Sequence, residues 1–217
     1  MEQIFLKACA KLNLFLDITG KCENGYHLLK SVMQSVDIFD RVSIKKSGEI
    51  SVKCSESALD GENNLAHKAA ALFFGQTGIA GGAEIYIEKR IPMQAGMAGG
   101  SADAAAVLYG LNRLYEAKLS AEELCAIGAR LGADLPFCLC GGTMLCEGIG
   151  ERLSPLPELS DCFFVIVKPE IGMSTVESYR IYDEHEAAGL EHGDFSAMST
   201  ALEAENIQNV GKALYNA

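Results

Sequence analysis

The sequence has no surplus of positive charge: 18 Lys and Arg stand against 29 Asp and Glu, a formal charge of −11. A chain without a positive field has no footprint for a phosphate backbone, which argues against nucleic acid as a partner. Its eight cysteines, at 9, 22, 54, 125, 138, 140, 146 and 162, include no CxxC pair, and its histidines do not cluster, so no zinc site is spelled out. They read as reduced core residues in apolar runs such as Cys138-Leu-Cys140 and Cys162-Phe-Phe. No apolar run reaches membrane length, and the opening "MEQIFLKACAKLNLFLDITG" is interrupted by Glu2, Lys7, Lys11 and Asp17, which argues against a signal peptide. Internal repeats and low-complexity tracts are also missing. A soluble, cytoplasmic globular protein with no membrane partner is expected.

What is there suffices for a core, since 217 residues at 49% hydrophobic allow one domain or two small ones. The opening reads as β: Ile4 to Ala10, then Leu12 to Ile18 with a break at Gly20, then two short strands around Ser47-Gly48. Leu65, Ala69, Leu72 and Phe73 recur at helical spacing after Asn63 or Asn64, either of which is a competent cap. "AEIYIEKRIP" alternates as a half-exposed strand that Pro92 ends. A helix is predicted from Ser101, and another from the capping box Ser120-Ala-Glu-Glu123 to near Gly132. A short buried element follows in "GADLPFCLCGG", then a hairpin turning at Gly148 to Gly150. Pro155 and Pro157 mark a domain boundary, giving units of 1–157 and 158–217. Beyond it, "DCFFVIVKP" predicts a strand, and "STVESYRIYDEH" and "NIQNVGKALYNA" predict helices. The last stops without a turn or cap, as a fragment would.

The stretch "PMQAGMAGGSADAAA", Pro92 to Ala106, joins a strand to a helix. It lacks the Lys-Ser/Thr pair of a P-loop and the spacing of a dinucleotide fingerprint. Its glycines still free several N–H groups to point into one concavity, and the helix behind adds its unpaired amides and the positive end of its dipole. A strand-to-helix turn would also use glycine for positive φ. Gly96, Ala98, Gly99, Gly100 and Ser101 are more small residues than a turn requires, yet the loop alone leaves both readings open.

With its preceding strand, the loop "KRIPMQAGMAGGSADAAA" resembles the ATP-binding motif of the GHMP kinases. "AKLNLFLDITGKCENGYHLLKSVMQSVDIFD" and "GADLPFCLCGGTMLCEGIGERL" are similar to two segments of one branch, the 4-diphosphocytidyl-2-C-methyl-D-erythritol kinases, and Asn24-Gly-Tyr-His27 separates that branch from most others. The resemblance runs along the whole chain. It implies an α+β fold of two domains, an N-terminal one like ribosomal protein S5 domain 2 and a ferredoxin-like C-terminal one, with the latter truncated here. The family's glycine-rich loop near the C-terminus is not in this sequence, and Ala102 stands where many relatives have a second serine.

The resemblance further implies ATP-dependent phosphorylation of the 2-hydroxyl of diphosphocytidyl-methylerythritol in the non-mevalonate isoprenoid route, with Mg2+ accompanying ATP through ligands that it does not name. By the same resemblance Asp134 matches the catalytic base, whose bland alternative is a helix cap, and Lys11 the lysine that pairs with it. Pro92, Met93, Gln94, Ala95, Gly96, Met97, Ala98, Gly99, Gly100, Ser101 and Ala102 would hold ATP, with Asn64 and the Lys89-Arg90 region bordering adenine or phosphate. Asn13, Tyr26, His27 and Tyr179 would contact the substrate, the two tyrosines sandwiching cytosine, although Tyr179 also reads as a core aromatic on its helix face. Another GHMP small-molecule kinase, or a non-catalytic nucleotide-binding fragment, is the competing expectation. Monomer and homodimer are both compatible with the sequence.

Overall fold

The first strand, β1 (Gln3–Lys21), runs unbroken through the point where the sequence predicts two strands. No turn residue separates Ala10 from Leu12, and Lys11 is buried in mid-strand, so nothing there ends the extended run. The structure, a computed structural model, describes residues 2–23, 25–172, 174–186 and 191–217. β2 (His27–Ser47) is longer still, 21 residues against 19. Two compact units result, residues 1–10, 36–92 and 98–140 in one, and residues 11–35, 93–97 and 141–217 in the other. β1 and β2 each contribute one half to each unit.

In the first unit β4 (Gly82–Glu88) pairs antiparallel with β2 from Arg41↔Glu88 to Ser47↔Gly82, and β3 (Ser51–Cys54) pairs parallel with β4. α1 (Leu65–Thr77), α2 (Gly99–Leu114), α3 (Ala121–Ala129) and α4 (Leu135–Cys140) belong to the same unit. Asn64 caps α1 by accepting from the Ala66 N–H, and both halves of the Ser120–Glu123 capping box are formed on α3. α2 lies close on the sheet because residue 110 is glycine. A Cβ there would stand 2.5 Å from Ile44 Cδ1 and 2.7 Å from Leu6 Cδ1. Phe73, Ile87, Leu108 and Leu111 are fully buried in this core, each worth roughly 1.5–3 kcal/mol of removed apolar surface.

In the second unit β5 (Thr143–Gly148) pairs antiparallel with β2 and with β6 (Arg152–Pro155), forming the expected hairpin. α5 (Thr175–Glu186), α6 (Phe195–Glu203) and α7 (Ile207–Lys212) follow. β7 (Tyr215–Asn216) then pairs parallel with β1. The predicted C-terminal helix is therefore a short helix of six residues followed by a two-residue strand. α6 was not anticipated. Met198, Ala201 and Leu202 on it close a core with Leu14, Phe15, Val32 and Val210. The segment 162–168, predicted as a strand, forms none, and Phe163 is fully exposed. The cysteines are free, but only Cys54 and Cys146 are buried, so the expectation of core cysteines holds for two of eight. No helix of the described residues is long and apolar enough to cross a membrane.

Candidate active site

The glycine-rich loop leaves β4 at Lys89 and enters α2 at Gly99. Two apolar pins hold it, Ile91 and Met97, each 3% exposed, while Met93, Gln94 and Gly96 face solvent. Three of its residues adopt left-handed backbone: Gln94 (φ 52°), Gly96 (φ 68°) and Ala98 (φ 57°). For the two that are not glycine this costs on the order of 1 kcal/mol each, and such strain persists only where the surroundings impose it. Ala98 occupies the cap position of α2 and has no side chain to offer, so the amides of the first turn receive no side-chain cap. A helix start followed by Gly100, Ser101 and Ala102 and left without a cap is a ready anion site. The Lys11 N–H donates to the Met97 carbonyl at 3.2 Å, tying the loop to β1.

Lys11 is 5% exposed, and its ammonium donates to Asn13 Oδ1 at 3.0 Å. Two residues apart on one strand, they share a face, as the period of the strand predicts. Asp134 stands immediately before α4, half-buried, and its carbonyl accepts the Cys138 N–H at 3.0 Å. Pro136 in the first turn of α4 suits this start, since its missing N–H would have had no helical partner.

His27 and Tyr179 come together, with parallel rings whose centroids are 4.6 Å apart. Tyr26 is 60% exposed, and Asn24 lies outside the described residues. Asp183, unremarked in the sequence, holds this group from α5. Its Oδ1 is 2.6 Å from His27 Nε2, and its Oδ2 accepts from Lys21 Nζ at 2.7 Å. These hydrogen bonds, from Lys21 first and His27 next, keep the Asp183 carboxyl below its ordinary range. The available signal was the spacing of four between Tyr179 and Asp183, which puts both on one face of a helix.

A second group missed by sequence reasoning is buried beneath the loop. Lys89 Nζ donates to Asp40 Oδ2 and, at 2.6 Å, to Asp103 Oδ2, with all three side chains nearly or wholly sequestered. Asp40 Oδ1 also accepts the N–H groups of Arg90 and Ile91, the latter at 2.8 Å. Asp103 Oδ1 is buried without a hydrogen-bond partner among the described residues. Burial pushes the Asp103 carboxyl up to about 7, against the pull of Lys89. Burial opposes the Lys89 charge, but Asp103 and Asp40 outweigh it and raise the ammonium. Asn64, expected at the adenine border, has its amide occupied at both ends, by the Ala66 N–H and by the Leu59 carbonyl at 2.8 Å. A shallow groove of about 420 Å³ lined by Phe5, Phe39, Arg41 and Tyr86, among others, contains none of the sequence-designated residues.

Residues 64–142, which contain the loop, α2 and Asp134, match the GHMP kinases N terminal domain. The chain is 48% identical over 210 residues to the 4-diphosphocytidyl-2-C-methyl-D-erythritol kinase of Carboxydothermus hydrogenoformans, covering 96% of this chain and 73% of that one. It is 43% identical over 213 residues to the enzyme of the same name from Clostridium botulinum, covering 97% and 75%. A crystal structure of 4-(cytidine 5'-diphospho)-2C-methyl-D-erythritol kinase superposes with a TM-score of 0.71 at 31% identity, covering 93% of this chain and 72% of that one. Homoserine kinase from Cytophaga hutchinsonii shares the fold alone, with a TM-score of 0.63 at 17% identity, covering all of this chain and 72% of its own. The chain thus spans about three quarters of its relatives, and over that span it belongs to the 4-diphosphocytidyl-2-C-methyl-D-erythritol kinase family of the GHMP kinases.

Proposed function

We infer that this chain is a kinase that transfers the γ-phosphoryl group of ATP to the 2-hydroxyl of 4-diphosphocytidyl-2-C-methyl-D-erythritol, a step toward isoprenoid precursors. The observation that carries the reading is identity above 40% along nearly the whole chain to kinases of that name. The residue roles below are our proposal, supported by local geometry.

The segment from Pro92 to Ala102 holds the ATP phosphates. Its fit rests on the cap position of α2, where Ala98 leaves the helix amides without a side-chain acceptor, and on the left-handed residues that shape the loop. Asn64, whose amide is engaged in capping α1, borders the adenine or the phosphates. Magnesium, when bound with ATP, neutralises charge shared between the phosphates. Asp134 accepts the proton of the substrate hydroxyl, and Lys11 stabilises the charge that develops on that oxygen. Burial serves Lys11 here, because an ammonium in a dry site acts at lower dielectric than in water. Asn13, sharing a strand face with Lys11, contacts the same end of the substrate. Tyr26, His27 and Tyr179 recognise the cytosine by stacking and by a hydrogen bond from the imidazole.

ADP release measured with the diphosphocytidyl alcohol, with mevalonate and with homoserine tests the reading. Turnover confined to the first alcohol, and lost in Asp134→Ala, is expected. Comparable turnover of homoserine or mevalonate would overturn the substrate, and full activity of Asp134→Ala would overturn the base.

A further inference from the structure

The strained loop needs something to hold its two ends, and the buried cluster touches both. Register explains how it forms. Arg41 faces Glu88 across β2 and β4, so the next residues in each direction, Asp40 and Lys89, meet at the end of that ladder. Asp40 then fixes the chain entering the loop, through the Arg90 and Ile91 N–H groups. Asp103, on the second turn of α2, fixes the chain leaving it. Lys89 joins the two carboxylates. Residue 99 is glycine at the point of closest approach: a Cβ there would stand 3.2 Å from Ile91 Cγ2 and 3.4 Å from Lys89 Nζ. The ammonium thus lies against the first residue of the helix whose amides face the phosphates.

We propose that Asp40, Lys89 and Asp103 are positioning residues that clamp the two ends of the phosphate loop, and that Asp103 makes the grip on ATP depend on pH. The proposal rests on the ATP role given to the loop above.

One cation against two carboxylates leaves one negative charge in surplus, and the unpartnered Oδ1 of Asp103 is where a proton would remove it. The charged and titratable groups around Asp103 are Asp40 from β2, Lys89 beyond β4 and Cys54 from β3, with Asp60 beside Cys54. Burial first, then Asp103 and Asp60, push the Cys54 thiol up to about 11, so it stays neutral across the range in question. Below neutrality the cluster is neutral. Above it, a net negative charge lies beneath the phosphates and opposes them.

Two substitutions at 103 separate clamping from mere support. Asp103→Leu has similar bulk and removes the tie to α2 but leaves Lys89 neutralised by Asp40, so no charge is stranded. Asp103→Asn keeps an acceptor for Lys89 and removes only the titration. Calorimetric titration of each purified protein with MgATP from pH 6 to 8, alongside thermal melting, reads both. Asp103→Leu is expected to weaken MgATP binding tenfold or more while melting no lower than the parent. Asp103→Asn is expected to bind within threefold of the parent at pH 6, and the parent to weaken relative to it by at least threefold at pH 8. Binding by Asp103→Leu within twofold of the parent overturns the clamp. Should that variant fail to fold, a constant ratio of parent to Asp103→Asn affinity from pH 6 to 8 overturns the proposal instead, and a changing ratio supports it. A parent chain that binds no MgATP at any pH refutes the ATP role of the loop itself, a separate result.

Discussion

Replacing Asp103 by asparagine should stabilise the fold at alkaline pH, against the usual expectation for removing half of a buried ion pair. The sign follows from the carboxyl's raised affinity for its proton. Its ordinary value is 3.8, and in the folded chain it rises to about 7, mainly by burial. Between those values the folded state holds a proton that the unfolded state has released, so stability falls as pH rises from about 4 to about 7 and stays low above that. Each tenfold in proton affinity is worth about 1.4 kcal/mol, so the whole gap amounts to about 4 kcal/mol at most.

Asparagine approximates the protonated carboxyl and carries none of this cost. Lys89 is not stranded by the change, because Asp40 still meets it, and the cluster becomes neutral. The variant should therefore exceed the parent by about 2–4 kcal/mol at pH 8 and by little near pH 4. Urea unfolding followed by circular dichroism at pH 5, 6, 7 and 8 measures this, with the slope checked for constancy. Curves for parent and variant that run parallel across the range would refute the reasoning, as would a variant less stable at pH 8.

Other substitutions test other parts of the chain. Asp134→Asn should lower kcat by about 10²–10⁴-fold with KM for ATP changed little, and steady-state ADP release that stays within tenfold of the parent would remove Asp134 as the base. Asp183→Ala should raise KM for the cytidine substrate about tenfold while leaving KM for ATP alone, since each 1.4 kcal/mol of lost positioning is tenfold; a parallel rise in both would mean that α5 has loosened generally. Ser120→Ala should cost about 1 kcal/mol in urea unfolding, the worth of a capping interaction, and an unchanged midpoint would show that the box in α3 carries nothing.

Features encoded within a few residues were legible in the sequence. The α3 cap needs only Ser120 and Glu123, and the Asn64 cap and the β5–β6 hairpin are equally local. The loop with its small residues was legible too, although its role came from resemblance rather than from spacing. What was not legible depends on register. Asp40 and Lys89 lie 49 residues apart, and only the pairing of β2 with β4 brings them together. In the sequence nothing singles out Asp40, and Lys89, set with Arg90 beside adenine or phosphate by resemblance, gives no sign of its two carboxylate partners. Asp183 was missed for a similar reason, since its worth lies in reaching His27, 156 residues away.

The segment 162–168 separates pattern from pairing most sharply. Its sequence is a continuous apolar run, and its burial alternates as a strand's should: Cys162, Phe164 and Ile166 are partly buried, while Phe163, Val165 and Val167 are 87–100% exposed. Phe164 packs against the core of Phe15, Met198 and Leu202. One face is therefore docked as the period of two requires, yet no described strand supplies a ladder, and the backbone is not assigned as β. Extended preference belongs to the segment, whereas strand formation belongs to the segment and its neighbour together. The expectation of a strand was thus right about the side chains and failed on the hydrogen bonds, which no sequence-local rule counts.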